Sequence, residues 1–140
     1  MEEATLAESI VEQIADAVIY ADDTGTIRRW NHAAAALFGY STAEALGQNL
    51  DLIIPEHLRA THWRGFEAAM TNGVMKLQGR PTVTRAKHRT GRKLYVEMSF
   101  ALVKGQAGGA VAVACDVTRR IEQQRADAHA MDAAKAGVRP

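Results

Sequence analysis

The chain has 140 residues, with 17 Lys and Arg against 16 Asp and Glu and a net charge of +1. That is one domain with a helix to spare at either end; the scattered basic residues exclude a nucleic-acid footprint, and the apolar runs are far too short to span a bilayer. The acidic Met1-Glu2-Glu3 start argues against a secretory or transit peptide, and the lone Cys115 cannot form an internal disulfide, so a cytoplasmic domain is expected.

Thr5-Leu6-Ala7-Glu8 has the form of a capping box and predicts a first helix, on which Leu6, Ile10, Ile14 and Val18 recur every four residues. Residues 17–21 read as a strand, Asp22-Asp23-Thr24-Gly25 as a turn, and Thr26 to Trp30 as the second arm of a hairpin. Asn31 is an N-cap for a helix over His32 to Phe38, with Gly39 as its stop. Ser41-Thr42-Ala43-Glu44 is a second capping box, opening a brief helix that ends near Gly47. Residues 55–70 read as one longer helix, started by Pro55 and closed by Asn72-Gly73. Val74 to Leu77 is a candidate strand, followed by strands over Thr82 to Lys87, Lys93 to Lys104 and Ala110 to Val117. The polar, helix-prone remainder keeps a loose heptad at Val117, Ile121, Gln124, Ala128 and Met131. This order predicts an α+β fold with an antiparallel sheet, one face of which is covered by the helices with a pocket beneath them.

The candidate functional residue is His62. Helical spacing places it on one face with Leu58, Gly65, Phe66, Ala69 and Met70, so its imidazole points into apolar surroundings and needs a partner. Pattern alone allows either a core hydrogen bond to a backbone carbonyl or a metal. His57, His32, His88 and His129 read as surface residues, and no pair of histidines or carboxylates has the spacing of a structural zinc site. No nucleophile with a base, no phosphate loop and no kinase or cyclase motif is present, so no enzyme is expected and no catalytic residue is assigned.

Ala21-Asp22-Asp23-Thr24-Gly25-Thr26-Ile27, Trp30-Asn31-His32-Ala33-Ala34, Leu37-Phe38-Gly39-Tyr40, Ala45-Leu46-Gly47, Ile53-Ile54-Pro55, Thr90-Gly91-Arg92 and Asp116-Val117-Thr118 together resemble the PAS family of sensory modules. The resemblance covers roughly residues 8–118. It implies a five-stranded antiparallel sheet with short helices and one longer helix over one face, flanked by terminal helices. Residues 1–16 would be the N-terminal flanking helix, 17–118 the sensor domain and 119–140 a helical linker or tail. Within the family, the interval from Pro55-Glu56 to His62 is similar to that of the haem-binding domains of FixL-type oxygen sensors, where a histidine on the long helix is the proximal iron ligand.

By this resemblance the cofactor is haem b and His62 its axial ligand, with Leu58, Phe66, Ala69 and Leu77 beside it. Met98 and Phe100 would line the distal side, Leu52, Ile53, Val96 and Val113 would complete the walls, and Arg59, Arg64, Arg80 or Arg85 would meet a propionate or a gas. FixL-type sensors carry a gas-contacting arginine where an ungapped count here places Thr82, with Arg80 and Arg85 on either side. Oxygen, carbon monoxide, nitric oxide and redox state therefore all remain open as the signal, with Met98 or Met75 as a candidate sixth ligand. Cys115 is not the photoactive cysteine of flavin-binding relatives, whose Asn-Cys-Arg-Phe sequence is absent. The resemblance also implies a homodimer and an unidentified signalling partner or output domain. The alternatives are a cofactor-free dimerisation module and a pocket for a small organic carboxylate anchored by Arg64 or Arg80.

Overall fold

The structure is a computed structural model and describes residues 5–74, 80–105 and 108–136. Its elements are α1 (Leu6–Gln13), β1 (Ala17–Ala21), β2 (Ile27–Trp30), α2 (His32–Phe38), α3 (Thr42–Ala45), α4 (Arg59–Asn72), β3 (Thr82–Lys87), β4 (Lys93–Leu102), β5 (Ala110–Asp116) and α5 (Thr118–Lys135). Single 3-10 turns at Leu50–Leu52 and Glu56–Leu58 lie between α3 and α4. The strands form one five-stranded sheet of order β2-β1-β5-β4-β3, antiparallel at every pairing. The expected α+β architecture is the one observed.

Local chemistry explains most of the boundaries. Asn31 and Ser41 accept hydrogen bonds from Ala34 N and Glu44 N, and Glu44 returns the bond to Ser41 N, so both caps form as their sequences predict. Gly39 ends α2 at φ +87°, a left-handed conformation that costs glycine little. The helix expected over 55–70 begins later, because Leu58 offers no side-chain oxygen to cap it. The chain makes a 3-10 turn at Glu56–Leu58 and becomes α-helical only at Arg59. Val18 belongs to β1, so the apolar stripe of α1 stops at Ile14. Val74 lies outside any strand, and the rest of that candidate strand falls outside the described residues.

Strand alternation sorts the sheet faces. Leu94, Val96 and Met98 are buried against Ile19, Ile27, Trp30, Phe38 and Ile53, while Tyr95 and Glu97 point to the other face. Register sets Thr82, Met98, Ala114 and Ala17 in one row across the inner face, and Phe100, Ala112 and Ile19 in the next. Ala114 and Ala112 therefore sit inside the two rows, with Ala17 beside Ala114, which lowers the floor beneath the helices. The helix α2 packs closely on β1 and β5, whereas α4 stands further off the strands.

The β1–β2 turn is held by one carboxylate. Asp22 accepts from the Thr24 hydroxyl (2.6 Å), Thr24 N (3.0 Å), Thr26 N (3.1 Å) and Arg28 Nε (2.9 Å). The Thr24 hydroxyl first, then Arg28 and the two backbone amides, hold the carboxyl well below its usual range, against a smaller opposing effect of burial. A depressed folded-state pKa gives stability that is complete above the unfolded value near ~3.9 and lost as pH falls through the folded value. Urea unfolding of the native chain should therefore weaken steadily below about pH 4, and Asp22→Asn should flatten that acid limb. An unchanged limb in Asp22→Asn would remove Asp22 as its source.

Candidate functional site

The helix α4 carries His62, Phe66 and Ala69 along one side, at the expected spacing. Phe66 and Ala69 are buried, Leu58 and Met70 half-buried, and Gly65 is exposed, so Gly65 does not belong to the inward face. The His62 ring lies 4.7 Å from the Trp63 ring, centroid to centroid and edge-on, and 6.1 Å from that of Phe66. Its Nδ1 is buried and has no hydrogen-bond partner among the described residues, so none of them supplies the backbone-carbonyl bond considered from sequence at that nitrogen. Burial pushes the imidazole pKa below its ordinary value, and the negative charge of Asp51 offsets this in part. Burial thus favours the neutral ring, the form a metal ligand requires.

Trp63, read from sequence as a packing or dimer-contact residue, fixes this helix together with Asp51. Trp63 donates from Nε1 to Asp51 Oδ1 at 2.7 Å. The far edge of its ring rests on Gly25, which has φ +82° and leaves the space where a Cβ would stand. Asp51 is held in turn by Arg59, which bonds to its carbonyl (3.2 Å) and to that of Ile54 (3.1 Å). The available sequence signal was weak: a half-buried indole N–H needs an acceptor, but nothing local says that Asp51 supplies it.

The remaining predicted residues divide by face. Met98 is buried on the inner sheet face, and Phe100 packs partly buried against the same core. Ile53 and Val96 belong to this core, with Leu52 packed against it. Val113 pairs with Val18 and Ser99 and, by alternation from the inward Ala112 and Ala114, points to the outer face, so it is not a wall of this pocket. Arg85 stands opposite Tyr95 on the outer face and cannot meet a ligand beside His62. Thr82, directly opposite Met98, is the inward-facing β3 residue at the position the family resemblance singles out. Arg80 and Arg64 are exposed, and neither is in an ion pair among the described residues. Leu77 and Met75 lie outside the described residues.

Among the described residues, two surface grooves stand apart from His62, which lines neither. One, of about 410 Å³, runs between β3, β4 and α5 on the outer face. The other, of about 470 Å³, lies where Ala69 and Met70 of α4 face Leu102 and Val103 at the end of β4.

A haem asks of a protein an imidazole free to coordinate, an apolar slot and cations near the edge. The residues here fit: His62 carries a buried nitrogen with no hydrogen-bond partner among the described residues, beside Phe66 on α4, and the inner sheet face offers Met98, Phe100 and small alanines. Among the described residues, no group of three or more His, Cys, Asp or Glu could hold a metal ion by itself. An iron at His62 would therefore have to arrive in a macrocycle that supplies the other ligands.

An antiparallel sheet under short helices, with a longer helix held off its inner face, is an α+β module with one sheltered sheet face. The sequence profile described as "PAS fold" matches residues 5–117, and the chain belongs to the PAS family. It is 32% identical over 105 residues to the sensor protein FixL of Bradyrhizobium diazoefficiens, covering 75% of this chain and 20% of that protein. It is 28% identical over 101 residues to the oxygen sensor protein DosP of Escherichia coli, covering 72% of this chain and 12% of that protein. The chain thus spans a fifth or less of these relatives' length. A PAS domain from Colwellia psychrerythraea superposes with a TM-score of 0.69 at 23% identity, over 79% of this chain and 93% of that one. An RNA-binding light-oxygen-voltage receptor gives 0.66 at 21% identity, over 94% of this chain and 38% of that one. No helix among the described residues is long and apolar enough to cross a membrane.

Proposed function

We propose that this chain is a haem-binding PAS sensor domain in which His62 holds the iron. The observation that carries the reading is the imidazole on the same side of α4 as buried Phe66 and Ala69, whose buried Nδ1 has no hydrogen-bond partner among the described residues. Likeness to a protein named as an oxygen sensor supports it. When bound, haem b supplies an iron centre whose ligation responds to oxygen, carbon monoxide, nitric oxide or redox state.

The protein's own residues do the rest. Phe66, Ala69, Met98 and Phe100 exclude water from the slot, which favours the neutral His62 and an uncharged ligand. Thr82 offers a hydroxyl opposite Met98 on the inner face, in place of the arginine of FixL-type sensors. Arg64 and Arg80, exposed and in no ion pair among the described residues, are the cations we assign to propionates. Displacement of His62 moves α4, and the Trp63–Asp51 bond carries that motion to the turn before it. The flanking helices pass it to a partner or output domain. Leu6, Ile10 and Ile14, which are 77, 53 and 45% exposed on or at the end of α1, would pair two copies as a homodimer.

The test is haem content after expression in haem-replete cells. About one haem per chain is expected by pyridine haemochromogen assay, with a Soret band that shifts when carbon monoxide meets the reduced protein. A folded, colourless protein whose melting temperature ignores added hemin would overturn the reading and leave a cofactor-free interaction module.

A further inference from the structure

The groove on the outer face is separate from the His62 site and contains two cations without counter-ions. It runs between β3–β4 and α5, lined by Val83, Arg85, Tyr95, Ile121, Gln124 and Arg125. The Arg85 guanidinium carbon lies 5.7 Å from the centre of the Tyr95 ring, and that of Arg125 lies 5.0 Å from the same ring. Neither arginine is in an ion pair among the described residues, whereas Arg28, Arg59, Arg89 and Arg120 all are. Arg85 Nε is moreover buried, with no hydrogen-bond partner among the described residues. Two guanidiniums converging on one aromatic ring repel each other, and a buried N–H left unsatisfied is costly. A carboxylate in the groove would offset that repulsion, and a small turn of the Arg85 side chain would let it take the Nε–H as well.

We propose that this groove binds a small organic carboxylate, whose oxygens bridge Arg85 and Arg125 while its apolar body lies along Val83 and Ile121. The volume of about 410 Å³ suits a molecule of that size. Planar guanidinium forks match a carboxylate in two-pronged fashion. The groove's walls select against a bare inorganic anion, because Val83 and Ile121 gain nothing from one.

The site sits where α5 is rooted. Val117 N donates to the Tyr95 carbonyl at 2.8 Å, and the Thr118 hydroxyl accepts from Tyr95 N at 2.9 Å. A ligand joining Arg85 of the sheet to Arg125 of α5 would fasten the helix about two turns beyond that root. Occupancy would then hold α5 against the sheet whatever fills the His62 pocket, giving the domain a second input.

The experiment is an amide-resolved NMR titration of the full chain with hexanoate and benzoate in low-salt, phosphate-free buffer. Hexanol and sulfate are the controls. Saturable shifts centred on Tyr95, Ile121 and Gln124 are expected with both carboxylates, and not with hexanol. Arg125→Gln changes an exposed helix residue and keeps the fold, and it should weaken binding about tenfold. Arg85→Gln should do the same. Slower amide exchange in the first turns of α5 should accompany saturation. No saturable shift by about 20 mM, well above a millimolar Kd, would overturn the proposal. So would equal shifts with sulfate, or hexanoate affinity unchanged in Arg125→Gln. None of these outcomes depends on haem, so the proposal stands or falls apart from the His62 reading.

Discussion

Asn31→Ala is expected to cost about 3 kcal/mol of unfolding free energy and on the order of 10 °C in Tm, since one buried amide joins four backbone groups. Its Oδ1 accepts from Val18 N and Ala34 N, each at 2.9 Å. Its Nδ2 donates to the carbonyls of Val11 (2.8 Å) and Asp16 (3.0 Å). The residue is only 1% exposed, so water cannot replace the lost bonds without opening the core. One side chain thereby caps α2, starts β1 and ties the end of α1 to both. Asn31→Asp is the sharper variant: it keeps both acceptor bonds but sets a carboxylate against two carbonyls, and should recover little of the loss. Chemical denaturation of the two variants beside the native chain checks this. A loss under about 1 kcal/mol in Asn31→Ala, the scale of an ordinary exposed cap, would refute the latch.

Gly25→Ala should be nearly as damaging and should reach the functional helix. Gly25 has φ +82°, so any side chain brings about 1–2 kcal/mol of backbone strain. A Cβ there would also stand inside the outer edge of the Trp63 ring. The ring must move, and with it the 2.7 Å bond from Trp63 Nε1 to Asp51. Gly47 provides the matched control, because it has φ +86° and nothing within 4 Å of a built Cβ. Gly47→Ala should show the strain alone, while Gly25→Ala should lose a further ~1–2 kcal/mol and shift tryptophan emission to the red. Trp30 stays buried in both variants and gives a constant background. Equal costs and equal emission in the two variants would show that the Trp63–Gly25 contact does not fix α4.

These two residues also show what the sequence makes legible. The caps at Asn31 and Ser41 act through residues three positions away, so their chemistry can be read locally. Leu94, Val96 and Met98 alternate, which gives both the strand and its inner face. Asn31 could be read as a cap but not as a latch, since Val11 and Asp16 come to it only through the tertiary fold. Arg85 was assigned to the wrong face for the same kind of reason. Its side is set by pairing with Tyr95, and a slip of one residue in a strand reverses every side chain. Gly65 has helical spacing that fits the inward face, yet α4 stands off the sheet and presents only a narrow stripe to it. Val113 failed in the same way as Arg85: an apolar residue in a central strand has no local signal for which face it takes. The partners of His62 are equally non-local, because Asp51 approaches through Trp63 and a preceding turn.

The account rests on His62 as an iron ligand, and cavity replacement of that ligand tests it most directly. Native apoprotein titrated with hemin should develop a Soret band that saturates near one equivalent. His62→Gly should keep the fold but fail to form the same band, and adding imidazole should restore it by supplying the missing ring to the cavity. A native chain with no saturable Soret band, or a His62→Gly spectrum matching the native one without imidazole, would contradict His62 as the ligand.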